Sequence, residues 1–216
     1  SYCGGIYLSA NTTGATFKDC LASRNYNPGG NGVHAGFLWS AMASGKTLDI
    51  IRCVFRKNRI LNTGGFGGAV YAEGAQTVHV VDCEFTDNTA GSGGAIRSAG
   101  LTTYLNCTFR GNTCRDGWGP AIDIRNTTYV VNCTFADNMH YTAQGTQCGG
   151  AVALGNPATF LNCVFAYNYL NASTSPSSAL DIAKFGGTFS CVNSVDNGIG
   201  NTGAAITLAT TLAGVP

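Results

Sequence analysis

The sequence predicts an all-β fold, a single parallel β-helix of about seven or eight coils, on three observations. A Cys-x-Phe-x-x-Asn motif returns at steps of 24 to 30 residues, a Gly-Gly-Ala motif runs in phase with it, and no stretch sustains a helical period. The first motif occurs as Cys53/Phe55/Asn58, Cys83/Phe85/Asn88, Cys107/Phe109/Asn112, Cys133/Phe135/Asn138 and Cys163/Phe165/Asn168. Cys20 and Cys191 read as degraded copies without the phenylalanine, and Asn25 keeps the asparagine of the first. The second motif is Gly67-Gly68-Ala69-Val70, Gly93-Gly94-Ala95-Ile96 and Gly149-Gly150-Ala151-Val152. Weaker forms start at Gly119, Ser177 and Gly203.

Each element of the repeat has a physical reading. Before the cysteine the chain alternates in polarity, as in Tyr129-Val130-Val131-Asn132-Cys133-Thr134-Phe135, which is the pattern of a half-buried strand. The Gly-Gly-Ala segment opens a second short strand, with Ile122 and Ile124 on one face and Asp123 and Arg125 on the other. A unit of this size cannot bury its own apolar face, so units must stack, each strand pairing in parallel with its equivalent. Cysteine and phenylalanine then form internal ladders with a rise of about 4.8 Å. The asparagines stack at a corner, where this residue tolerates left-handed backbone and its amide can bond its neighbours.

Length varies only after the asparagine. Insertions are therefore expected along one edge, at residues 59–66, 113–118, 139–148 and 169–176, the edge where a solenoid carries recognition. Tyr26, Phe66, Trp118, Tyr141 and Tyr169 place an aromatic in nearly every loop, either as contacts for sugars or a protein, or as lids over the core edge.

Only 11% of the 216 residues are charged and the net charge is +1, which gives a nucleic-acid partner no electrostatic basis. No apolar run is long enough for a membrane span. Residues 1–216 read as one domain, part of a longer chain or an assembly, because repeat motifs reach both ends without an amphipathic cap.

Of ten cysteines, seven are assigned to the ladder as reduced, buried hydrophobes. Cys114 and Cys148 fall in loops of consecutive coils. A disulfide between them would imply an oxidising compartment; two unrelated loop thiols is the other reading. Sequons begin at Asn11, Asn106, Asn126, Asn132 and Asn171, and Asn11, Asn126 and Asn171 lie in turns or loops as candidate glycan carriers.

The nearest approach to a catalytic set is outside the Gly-Gly-Ala strands. Asp123 and Asp181 follow their motif alanines by two residues, two coils apart, about 9.6 Å if in register, with Arg97 beside them. That distance is near the upper limit for an inverting carboxylate pair. The other reading is a short ladder of opposite charges, because Ala153 and Gly155 leave the middle of such a groove without a polar group. His34, His79 and His140 occupy unrelated repeat positions, so neither a metal nor a cofactor is expected.

The alternation of Gly-Gly-Ala-[Ile/Val/Leu] with Phe-x-x-Asn resembles the repeat of polymorphic outer membrane proteins, an adhesin family with right-handed β-helical passenger regions at cell surfaces. The resemblance spans residues 50–206 most clearly, and the regular cysteine is a departure from it. It implies right-handed coiling and an extracellular or cell-surface location. The expected function is a non-catalytic structural or adhesive β-helix, whose partners are other copies or repeats of the assembly, and glycans. The alternative is a secreted polysaccharide hydrolase or lyase working through Asp123, Asp181 and Arg97.

Overall fold

A computed structural model describes residues 3–29, 34–61, 63–141 and 150–170, together with the backbone of Ile182–Lys184, Phe189–Val192 and Val195–Asp196. Every regular element among them is a strand, and every pairing is parallel. Four sheets run the length of the solenoid. The first stacks Ile6–Leu8, Leu38–Ser40, Val70–Ala72, Ile96–Ser98, Ile122–Ile124, Val152–Leu154 and Ile182–Lys184. The second runs from Ala15–Lys18 to Phe189–Val192 and the third from Leu21–Ser23 to Val195–Asp196, each with seven strands. The fourth has six, each of two residues, from Tyr26–Asn27 to Tyr169–Leu170. It opens each segment expected to be an insertion, and two residues are too few for an alternating pattern to be legible.

The phenylalanine ladder forms as expected. Phe55, Phe85, Phe109, Phe135 and Phe165 are register partners in the third sheet, with successive centroids 4.8, 5.0, 5.0 and 4.9 Å apart and planes within 8° of parallel. Ring spacing thus equals strand spacing, and each ring is walled by two others. The second sheet adds Leu48, Ile50, Val78, Val80, Tyr104, Val130 and Phe160 to the same core.

Cys53, Cys83, Cys107, Cys133 and Cys163 are buried in one column, where thiols donate to the carbonyl two residues earlier, as Cys83 does to Val81 at 3.1 Å. Burial pushes the Cys53 thiol above its ordinary range. Cys20 ends the ladder on the first coil and is exposed. Cys191 does not belong to it, since its register partner is Phe160, three residues ahead of the ladder position. The missing phenylalanine and the drift of spacing in that repeat are the reason.

The corners differ from expectation in one respect. At these two corners the positive φ falls on the residue immediately before the ladder position: Arg52, Asp82, Asn106, Asn132 and Asn162 before the cysteines, and Lys57, Asp87, Gly111, Asp137 and Tyr167 before the asparagines. The ladder asparagines point inward instead, and Asn58, Asn88, Asn112 and Asn138 are fully buried. In the Gly-Gly-Ala motif, Gly67 needs its glycine for a φ of 68°, while a Cβ on Gly68 would strike the carbonyl oxygen of Gly94 in the next coil.

Phe135→Ala removes a ring stacked between Phe109 and Phe165, so a loss of about 3 to 5 kcal/mol is expected in denaturant unfolding. An unchanged midpoint would contradict the ladder.

Candidate functional site

The outward column of the first sheet reads Tyr7, Trp39, Tyr71, Arg97, Asp123, Ala153 and Ala183. Outward residues of a solenoid face water, yet Tyr71 is only 6% exposed and Asp123 1%. Loop side chains fold back over them. His34 packs face to face on Phe66 at 5.0 Å and edge-on to Trp39 and Tyr71, both also at 5.0 Å. The Arg97 guanidinium lies 3.6 Å from the centre of the Phe66 ring, and that of Arg125 4.3 Å from Trp118. Each cation thus sits under an aromatic face, where it is attracted by the ring quadrupole and partly shielded from solvent.

Asp123 is the anion at the centre. Its Oδ2 accepts from Ser92 Oγ at 2.8 Å and Arg125 Nη2 at 3.1 Å, Arg125 Nε lies 2.8 Å from Oδ1, and Arg97 Nε lies 3.5 Å from Oδ2. Ser92 is fixed in turn, since its Oγ accepts from the Trp118 amide at 3.1 Å while its one proton goes to Asp123. Burial pushes the Asp123 carboxyl up from the ordinary carboxylate range, against the pull of Arg97 and Arg125. Burial also pulls the Arg97 guanidinium down. The next acid on this face, Glu73, accepts from Trp39 Nε1 at 2.8 Å. Chemically the cluster is a clamp: a buried carboxylate held by two guanidiniums and a hydroxyl.

The other expected site residues are dispersed. Asp181 lies outside the described residues, and the column of Asp123 continues through Ala153 to Ala183, so the second carboxylate expected there is replaced by alanine. The weak Ser177-Ser178-Ala179 motif had set that register two residues off. Phe66 and Trp118 cover the arginines, but Tyr26 and Tyr169 stand at opposite ends of one column of the fourth sheet, separated by Arg59, Thr89, Thr113 and Met139. Tyr141 is exposed just beyond that sheet. The five aromatics are therefore not one surface.

Cys114 is not in a loop. It is the buried second residue of Thr113–Cys114, with its Sγ donating to the Gly91 carbonyl at 2.8 Å; Cys148 lies outside the described residues. Asn11 is exposed in a turn, whereas Asn126 donates its amide to the Ala99 carbonyl at 3.0 Å and accepts from the Thr127 amide. Asn171 is outside the described residues. Among the described residues, no group of three or more His, Cys, Asp and Glu side chains is placed to hold a metal ion.

His34 and Trp39 were hidden because their coil reads Ala35-Gly36-Phe37-Leu38 where the others read Gly-Gly-Ala, so no motif marked Trp39 as a column member.

Asp123→Ala leaves two guanidiniums buried without a counter-charge, and a loss of about 3 to 5 kcal/mol is expected; a change under 1 kcal/mol in denaturant titration would mean the cluster is solvated. Burial also pulls the His34 pKa down, outweighing the attraction of Glu73, while Arg97 adds to the fall. A depressed folded value means that stability from neutral His34 is complete above the unfolded pKa of about 6.5 and is lost as pH falls through the lower folded value. Acidification from pH 7.5 to 5 should therefore lower the unfolding midpoint more in the native chain than in His34→Gln.

No curated protein and no solved structure is similar enough to this chain to count as a match. A family described as the right-handed β-helix region does match, over residues 41–213, which take in all but the first coil and part of the second. With that span matched and with parallel ladders throughout, the chain belongs to the right-handed β-helix family.

Proposed function

We propose that this β-helix is a non-catalytic structural or adhesive component of an extracellular or cell-surface assembly, as the resemblance to polymorphic outer membrane protein repeats implies. The observation that carries the reading is the enclosure of Asp123. The strand face that would form a hydrolase or lyase groove is filled by Phe66, Trp118, Arg97 and Arg125; Asp123 is committed to ion pairs and Glu73 accepts from Trp39. A right-handed β-helix serves carbohydrate-active enzymes as well as structural proteins, so the fold alone does not choose between them.

Association through coil ends has support of its own. In the first coil Ile6, Tyr7 and Leu21 are exposed and Leu8 and Phe17 only partly buried, an apolar surface that either further repeats of the same protein or another copy would cover. The composition suits an extracellular setting, since few charges and many Asn, Thr, Ser and Gly make up the surface.

Incubation with a panel of acidic and neutral polysaccharides is expected to release neither reducing ends nor unsaturated products, while sedimentation velocity shows mass rising with concentration. Product formation that disappears in Asp123→Asn would overturn the reading in favour of a carbohydrate-active enzyme.

A further inference from the structure

The charges of this chain are few but unevenly placed. Residues 1–60 carry seven of the twelve Lys and Arg against two Asp, whereas residues 61–90 carry Glu73, Asp82, Glu84 and Asp87 and no cation. Elsewhere on the exposed corners, cations are matched across coils: Arg52 bonds Asp19 at 2.7 Å, and Arg110 bonds Asp137 at 3.0 Å. Arg24, Arg56, Lys57 and Arg59 take part in none of the ion pairs of the described residues. All four lie at the corner between the third and fourth sheets, on two adjacent coils.

Two observations indicate that this corner is built. Arg24 and Lys57 hold left-handed backbone, with φ of 59° and 56°, at the column position filled elsewhere by Asp87, Gly111, Asp137 and Tyr167. Glycine and aspartate tolerate that conformation, while a long basic side chain gains nothing from it, and stacking two such cations on adjacent coils adds repulsion. Second, Arg59 is not loose: its guanidinium rests 5.2 Å from the centre of the Tyr26 ring. These side chains, with Asn25, Thr89 and Asp87, line an open groove of about 470 Å³.

We propose that this groove binds an anionic glycan, its sulfate or carboxylate groups held by Arg24, Lys57 and Arg59 and a sugar ring resting against Tyr26. Guanidinium and ammonium groups supply charge-assisted hydrogen bonds to such anions, and the exposed aromatic face and the polar groups of Asn25 and Thr89 suit a saccharide. The basic ground is two coils wide and ends at Asp82, Glu84 and Asp87. A nucleic acid or an anionic membrane, each presenting charge over a longer track, would meet those acids. The proposal is independent of the enclosed Asp123 cluster, since the two sites lie on different sheets.

The test measures binding of a heparin-derived hexasaccharide, an oligogalacturonate, a neutral dextran oligomer and a single-stranded oligonucleotide to the full chain by calorimetry, at low and high salt. Binding is expected for at least one of the two acidic glycans and not for dextran; the pair distinguishes sulfate from carboxylate. In Arg24→Asn/Lys57→Asn, where asparagine keeps the left-handed corner, affinity should fall about tenfold or more, as loss of charged contacts requires. Arg110→Gln, at a matched corner, should bind as the native chain does. Absence of binding to both acidic glycans, equal binding of dextran, affinity unchanged in the double variant, or tighter binding of the oligonucleotide would each overturn the proposal. Circular dichroism of the double variant separates lost binding from lost fold, and Arg59→Gln, which leaves both corners intact, gives a second reading if it does not fold.

Discussion

The asparagine ladder is the interaction on which the register of the solenoid depends. The Oδ1 of Asn112 accepts from both the backbone amide and the Nδ2 of Asn88, and its own Nδ2 donates to the Phe85 carbonyl and to Asn138 Oδ1, all at 2.9 to 3.0 Å. All four hydrogen-bonding positions of a buried amide are therefore filled by the neighbouring coils, and the same pattern runs from Asn25 to Asn168. A phenylalanine ladder alone constrains register less, because the burial that drives it is non-directional. A buried amide does not, since a shifted coil leaves it unsatisfied inside the core. Once that column is fixed, the cysteine column five residues earlier and the outward columns follow from the pleat.

Regularity made the fold legible, and its loss hid the site. Cys53 to Asn168 announce a coil because identical residues recur at one phase, and Phe135 could be placed inside on that pattern alone. The site depends on residues that break the repeat: Trp39 in a coil without the motif, Ser92 and Trp118 in segments of unequal length, His34 beside an unmatched glycine run. Ala183 continues the Asp123 column where the degraded Ser177-Ser178-Ala179 motif points to a different phase, because such a motif carries too little information to fix phase to a single residue. The expected amide bonds between neighbouring coils form, but they turn the asparagine inward, so the left-handed backbone falls on the residue before it.

Loops that return to the sheet create a second, smaller interior outside the first. Arg97 lies between Phe66 above and Asp123 in the next coil, so the cluster is at once an ion pair and an aromatic stack. Such a pair adds little net stability over an apolar filling, but it penalises misplacement strongly, because a displaced Asp123 would leave two cations buried. Its physical effect is to fix where the loops around residues 66 and 118 land on the sheet.

The same stacking rule governs charges on the outside. Adjacent coils bring equivalent side chains to about 4.8 Å, near enough for like charges to repel at any exposed corner, so a stable solenoid must alternate sign or use neutral amides. This chain does both: Arg52 stands on Asp19, and Asp82, Asn106, Asn132 and Asn162 are joined side chain to side chain. Against that rule, Arg24 above Lys57 is an exception within the same molecule, and neither packing nor backbone preference accounts for it. Lys57 has Asp87 as its neighbour on the other side, which leaves Arg24 as the cation of that column without an adjacent carboxylate and open to an anion from outside the chain.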